Sequence, residues 1–156
     1  MNMFYQQKRT IVSMISGILI LAAYGIHAWR TFREGTVDMG NDLRYWAVTM
    51  LIFIGIGVVA TIVIQIIFHI INAVVNEVTT GVQDEDQLVQ DEMDKLVELK
   101  ATRNGYVVAG LGFVSAMLTL VLRQPPGVML NVLYLSFALG SIFEGASQLY
   151  YYRRGI

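Results

Sequence analysis

The feature that most constrains this chain is an uncharged run of 32 residues, from Tyr45 to Asn76, without Asp, Glu, Lys or Arg. About 20 apolar residues are enough for a helix to cross the roughly 30 Å hydrocarbon core of a bilayer. Because the run exceeds that length, the sequence predicts an integral membrane protein whose first partner is the lipid bilayer.

The composition agrees with this prediction and excludes several classes of function. Hydrophobic residues make up 55 % of the chain and charged residues 15 %, whereas soluble domains carry about 25 % charged residues. A net charge of −1 offers no basic surface for nucleic acid, so we expect no direct nucleic-acid binding. The chain has no cysteine, which excludes disulfides and thiolate sites. At 156 residues we expect one membrane domain, 1–156.

Three further apolar segments are long enough to span a membrane. Together with the uncharged run they give four predicted membrane helices, at approximately 11–29, 45–72, 105–122 and 128–151. Pro125 and Pro126 end the third helix, because proline fixes φ and lacks an amide donor. The predicted fold class is therefore all-α, an integral membrane four-helix bundle of two antiparallel hairpins.

The distribution of Lys and Arg predicts the orientation in the membrane. Four crossings place both termini on the same side as the polar segment 77–103. That side carries seven basic residues: Lys8, Arg9, Lys95, Lys100, Arg103, Arg153 and Arg154. The other side carries four: Arg30, Arg33, Arg44 and Arg123. We therefore expect a multi-pass protein of the cell inner (plasma) membrane with cytoplasmic N- and C-termini.

Two of the predicted membrane helices carry polar residues at helical spacing. The second helix has one stripe of Gly57, Thr61, Gln65, His69, Asn72 and Asn76, and the fourth helix has Ser141, Glu144, Ser147 and Gln148. Polar side chains in lipid are costly unless they meet partners. We therefore predict an intramembrane polar cluster of Gln65, His69, Asn72, Ser141, Glu144 and Gln148.

Glu144 is the ionisable residue of this cluster that points most directly to function. An ionisable group inside a membrane helix is by default a functional-site hypothesis, and its candidate partners are His69 and the basic residues of segment 77–103. The alternative is that Glu144 has only a structural role, being protonated or hydrogen-bonded to Asn72. It could also lie close enough to the interface to be hydrated. For His69 the alternative is an ordinary interhelical hydrogen bond.

The third predicted membrane helix has small residues at one face. Gly105, Ala109, Gly112 and Ala116 recur at spacings of three and four. Small residues at such positions let helix backbones approach closely. This face is therefore predicted to pack against another helix.

Segment 77–103 is acidic and then becomes patterned. From Leu88 onward, apolar residues recur at helical spacing while charged residues occupy another face. This pattern predicts a cytoplasmic amphipathic helix that runs into the third membrane helix. The like charges of Asp94 and Glu98 repel at a spacing of four, which favours a cation or a basic partner. The candidates for partner docking or cation binding are Asp91, Glu92, Asp94, Lys95 and Glu98.

Three interpretations of this acidic helix remain open. The first is a solvated face without a further role. The second is an all-oxygen site formed by Asp91, Asp94 and Glu98, together with Glu144, which would suit Mg²⁺ or Ca²⁺. The third is docking of a basic protein surface. We expect no cofactor and assign no metal site.

The sequence around the acidic helix resembles a known family. Residues 91–101, followed by Arg103-Asn104-Gly105-Tyr106, are similar to a signature of the form Asp-Glu-x-Asp-x-x-(Val/Ile)-Glu-Leu-Lys-Ala that precedes the third membrane helix. It occurs in an uncharacterised family of small four-helix bacterial and archaeal membrane proteins. The ending at 148–155 also resembles that family. The likeness covers 83–156 well and the first hairpin in general character.

The resemblance implies a fold but no reaction. Met93 stands where the family usually has arginine, which argues against an essential cation at that position. Some members are encoded beside small helix-turn-helix regulators. This implies that the membrane protein is a partner of such a regulator.

We expect no enzyme activity from this chain. The two histidines lie at opposite membrane faces, and no serine is placed with a base and an orienting acid. The first functional prediction is a regulatory or sensory membrane protein that docks a cytosolic DNA-binding regulator through its acidic helix. The alternative is a small transporter or channel subunit, acting as a homo-oligomer, that uses Glu144 and the polar stripe of the second helix.

Overall fold

The computed structural model of the chain describes residues 5–78 and 84–154, with side chains for 7–71, 74 and 92–154. These residues form four helices and no strand: α1 (Tyr5–Glu34), α2 (Leu43–Val78), α3 (Asp84–Val121) and α4 (Pro126–Arg154). The all-α prediction is confirmed. Each of the four helices contains a stretch long and apolar enough to cross a membrane, as a multi-pass protein requires.

The turn between α3 and α4 is built by local backbone chemistry. The amide of Gln124 donates to the carbonyl of Thr119 at 2.9 Å. The amide of Arg123 donates to the carbonyl of Leu120, also at 2.9 Å. Arg123 has a φ of 58°, the left-handed conformation that ends a helix in this hydrogen-bond pattern. Pro126 begins α4, and proline suits the first helical position because the amide there has no intrahelical partner.

The acidic segment and the third apolar segment form one uninterrupted helix. α3 contains 38 residues, which corresponds to a length of about 57 Å at 1.5 Å per residue. A membrane core of roughly 30 Å covers little more than half of that length. The polar N-terminal part of α3 is therefore a direct continuation of its apolar part.

α4 is the helix on which the others assemble. It packs against α1, α2 and α3, most extensively against α3. Within the described residues, the backbones of α2 and α3 do not approach each other, and neither do those of α1 and α3. α2 and α3 therefore lie on different sides of α4, whereas each helix of a square bundle would contact its two neighbours.

Small residues bring α3 and α4 together, as the sequence predicts. A methyl group at Gly105 would lie 3.0 Å from the carbonyl oxygen of Gly140, and one at Gly112 would collide with the side chain of Ser136. Ala109 lies on the same face and is buried. The two backbones therefore pack at a distance that larger residues at these positions would not allow.

A buried aromatic cluster closes the end of the helices that carries the connections, here called the loop end. Tyr24, Trp46 and Met50 are its core, and Trp46 is fully buried. The hydroxyl of Tyr24 donates to the side-chain oxygen of Asn131 at 2.6 Å, which joins α1 to α4. The opposite end, where α1 begins and α4 ends, is called the terminal end.

We expect Gly112→Val to destabilise the fold, because its side chain would overlap Ser136 of α4. Overpacking of this kind costs about 1–3 kcal/mol. Gly110→Val is a matched control, since a methyl group there meets no atom within 4 Å and the change in helix propensity is the same. Thermal unfolding of both variants in detergent measures the difference, and equal losses would contradict the packing described here.

Candidate functional site

A polar cavity lies at the terminal end between α1, α3 and α4. Its volume is about 310 Å³, and it is called the acidic cavity here. The charged residues that line it are Arg9, Asp94, Glu98 and Glu144. Uncharged polar groups complete the lining: Thr10, Ser13, Ser141, Gln148 and Tyr152.

The position of Asp94 and Glu98 follows from the burial of their neighbours on α3. Val97 and Ala101 are fully buried, which fixes the rotation of α3 about its axis. Residues three and four apart share a helix face, so Asp94 and Glu98 stand together beside this buried stripe. Two carboxylates predicted for an outward docking face therefore line a cavity between helices.

Glu144 reaches the same cavity from α4 and is held by α3. The hydroxyl of Thr102 donates to one carboxylate oxygen of Glu144 at 2.7 Å. The other carboxylate oxygen lies 3.4 Å from the point where a Cβ of Gly105 would stand. The glycine therefore leaves the space that the half-buried carboxylate occupies.

Further hydrogen bonds connect the helices around the cavity. Tyr152 of α4 hydrogen-bonds Asp94 of α3. The hydroxyl of Thr10 on α1 donates to the side-chain oxygen of Gln148 at 3.1 Å. These contacts link all three helices at the terminal end.

The electrostatic balance of the acidic cavity favours a positively charged occupant. Three carboxylates and one guanidinium leave a formal charge of −2 when all four groups are ionised. Like charges in a partly desolvated space raise the free energy unless a counter-charge is present. Binding of a cation would lower that free energy.

A compact metal site does not account for this cavity. Among the residues described, no group of three or more His, Asp and Glu side chains is arranged to hold a metal ion. Asp91, which belongs to the predicted all-oxygen site, lies outside the described side chains. The spread of carboxylates over two helices suits a larger cation that contacts them separately.

A second, mainly apolar cavity adjoins the first. It lies between α1, α2 and α4, has a volume of about 740 Å³, and is called the helix crevice here. The two cavities share four lining residues: Ser13, Gly17, Ser141 and Ile142. They are therefore neighbours along α1 and α4.

The structure distributes the residues of the predicted polar cluster. Those that line the acidic cavity are Ser141, Glu144 and Gln148. Gln65 lines the helix crevice, together with Ser141. His69 is exposed on α2 and lines neither cavity. Asn72 lies outside the described side chains.

The candidates on the acidic helix also separate into two groups. Asp94 and Glu98 line the acidic cavity. Glu92 and Lys95 are exposed and lie outside it. Glu98 and Lys95 also border a shallow groove on the outer side of α3, so Glu98 stands at the edge between the two surfaces.

Sequence reasoning missed the contribution of α1. In the sequence, Arg9 contributes only to the predicted orientation, and Thr10 belongs to no predicted site. A usable signal was present, because Thr10, Ser13 and Gly17 recur at spacings of three and four, the same criterion that selected the stripe on the second helix. Applied to the first helix, it would have indicated a polar face beside α4.

Comparison of the chain with protein-family models, with curated proteins and with solved structures gives no significant match.

We expect Thr102→Val to lower stability, because Glu144 would lose the hydroxyl that donates to its carboxylate. Hydrogen bonds to charged groups contribute about 1.5–3 kcal/mol. Thr119→Val is the matched control on the same helix, since the Thr119 hydroxyl bonds the carbonyl of Ala116 within α3. Thermal unfolding of both variants, alone and combined with Glu144→Gln, measures the coupling, and equal losses with no coupling would contradict this role.

Proposed function

We propose that this protein is a regulatory or sensory membrane protein in which a cation in the acidic cavity controls docking of a cytosolic partner to α3. One observation carries the proposal: α3 bears Asp94 and Glu98 in the cavity and also bears the exposed Glu92 and Lys95. A cation that contacts the carboxylates of α3 and α4 favours one arrangement of these helices over others. The partner then meets a surface whose position depends on the ligand.

The proposed setting is the inner membrane of a bacterium. All four helices form a membrane bundle, with both termini and the N-terminal part of α3 in the cytoplasm. The excess of basic residues on that side, seven against four, supports this orientation. The acidic cavity would then open towards the cytoplasmic side, within reach of both membrane-bound and soluble cations.

The proposed partner is a basic cytosolic protein. Exposed carboxylates on α3, Glu92 and Glu98, would be complementary to a basic surface and would speed association. The family resemblance around 91–106 implies a helix-turn-helix regulator in this role. The predicted contribution of Asp91 falls outside the described side chains.

We expect Glu92→Lys to reduce retention of the partner, because it places a positive charge against a basic surface. Affinity pull-down of the tagged protein from gently solubilised native membranes, read by mass spectrometry, measures retention. Glu34→Lys is the matched control, since this exposed residue ends α1 at the loop end. Unchanged retention in Glu92→Lys would overturn docking on this surface.

The same pull-down tests the link between cavity and docking. Glu144→Gln removes a charge inside the acidic cavity and leaves the exposed surface of α3 unaltered. We expect it to change partner retention in either direction. If Glu92→Lys loses the partner while Glu144→Gln retains it unchanged, docking on α3 would be supported and control of docking by the acidic cavity would be rejected.

A second candidate function is transport as a homo-oligomer. The adjacency of the acidic cavity and the helix crevice favours it, because Glu144 and Gln65 then line neighbouring spaces. The cluster of Tyr24, Trp46 and Met50 fills the loop end, so a pathway across the membrane would form between protomers. Loss of cation flux in proteoliposomes on Glu144→Gln would support transport, and undiminished flux would exclude Glu144 as its relay.

A further inference from the structure

We infer that the acidic cavity and the helix crevice form a single binding site for a long-chain primary amine, with the ammonium group in the cavity and the alkyl chain in the crevice. This inference rests on the proposed function, since it names the class of cation that the acidic cavity would sense. Neither cavity alone specifies this ligand. Their adjacency along α1 and α4 does.

The two cavities meet at a chemically graded junction. Ser13 and Ser141 line both of them, so two serines lie where the charged cavity borders the apolar crevice. Beyond the junction the crevice is lined by side chains such as Met50, Phe53 and Leu130. An amphiphile has the same order of groups along its length.

The head group is specified by charge and by hydrogen bonding. Asp94, Glu98 and Glu144 outnumber the single Arg9, so a ligand of net positive charge is favoured over a zwitterion or an anion. Carboxylate and amide oxygens accept hydrogen bonds from an ammonium N–H. Quaternary ammonium groups are instead recognised by cages of aromatic rings, and Tyr152 is the aromatic residue that lines this cavity.

The tail is specified by the shape and lining of the crevice. Its volume of about 740 Å³ lies within the roughly 300–1,000 Å³ typical of pockets for small ligands. A residue without a side chain, Gly57, borders it from α2, and a Cβ there would meet no atom within 4 Å. Space for a chain therefore extends along α2 as well as along α1 and α4.

Ordinary bilayer lipids fit this site less well than an amine does. Their phosphate would have to approach a cavity of net negative formal charge, which repels it. An alkylamine brings a positive head and the same kind of tail. The site therefore discriminates by charge among molecules that all reach it from the membrane.

Binding is tested with tetradecylamine and two probes that each lack one part of it. The full chain is placed in phosphatidylcholine nanodiscs, and the rise in thermal unfolding temperature with probe concentration gives the affinity. Tetradecanol keeps the tail without the charge, and butylamine keeps the charge with a short tail. We expect tetradecylamine to bind more than about tenfold more tightly than either, a difference of roughly 1.4 kcal/mol. Equal binding of tetradecanol, or of butylamine, would overturn the inference.

Variants locate each part of the ligand. Glu98→Gln should weaken binding of tetradecylamine and butylamine together, whereas Glu92→Gln, outside the cavity, should weaken neither. Gly57→Phe should fill the crevice and weaken tetradecylamine while butylamine is unaffected. Gly55→Phe is its matched control, because Gly55 is exposed on the same helix and does not line the crevice. Gly57→Leu repeats the test with a smaller side chain in case the larger one disturbs folding.

The two proposals fail in different measurements. Unchanged binding in both Glu98→Gln and Gly57→Phe would overturn the amine site, while the pull-down of a cytosolic partner could still succeed. Amine binding that follows the expected pattern without any recovered partner would uphold the site and reject the regulatory function.

Discussion

The close approach of α3 and α4 is the contact on which the rest of the structure depends. Gly105, Gly112 and Gly140 bring the two backbones to a separation that no larger residue would permit. At that separation Thr102 reaches the carboxylate of Glu144. The same contact fixes the rotation of α3, and with it the direction in which Asp94 and Glu98 point. Packing between small residues in the apolar part of the chain therefore determines where the charged groups stand.

The central position of α4 explains why the molecule contains a hollow. Both α1 and α3 pack against α4, but within the described residues they do not contact each other, and the acidic cavity lies between them. The crevice lies between α1, α2 and α4. At the loop end, the aromatic cluster and the hydrogen bond from Tyr24 to Asn131 close the assembly. One end is thus filled with apolar and aromatic side chains, while the other keeps polar space.

Most of the fold could be predicted from the sequence, because its determinants are local. The uncharged runs predict helices, Pro125 and Pro126 predict the turn, and small residues at regular spacing predict the close contact of α3. Glu144 was recognisable because a charge in an apolar segment is conspicuous. The arrangement around it was not predictable, because periodicity identifies the face of a helix but not its neighbour. Gln65 lines the crevice, whereas His69, one turn further along α2, lines neither cavity. The arginine that lines the same cavity as Glu144 comes from α1.

Because α3 is long, a small rotation of this helix displaces its N-terminal end by several ångströms. From the glycine contact at Gly105 to Asp84, where the helix begins, 21 residues span about 32 Å. A rotation of about 5° around that contact therefore carries the first turn of α3 through about 3 Å, comparable to the length of a hydrogen bond. Displacements near the pivot stay well below 1 Å, which side chains accommodate without repacking. In the proposed regulatory function, the length of α3 would turn a slight change beside Glu144 into a larger displacement at the N-terminal end of this helix.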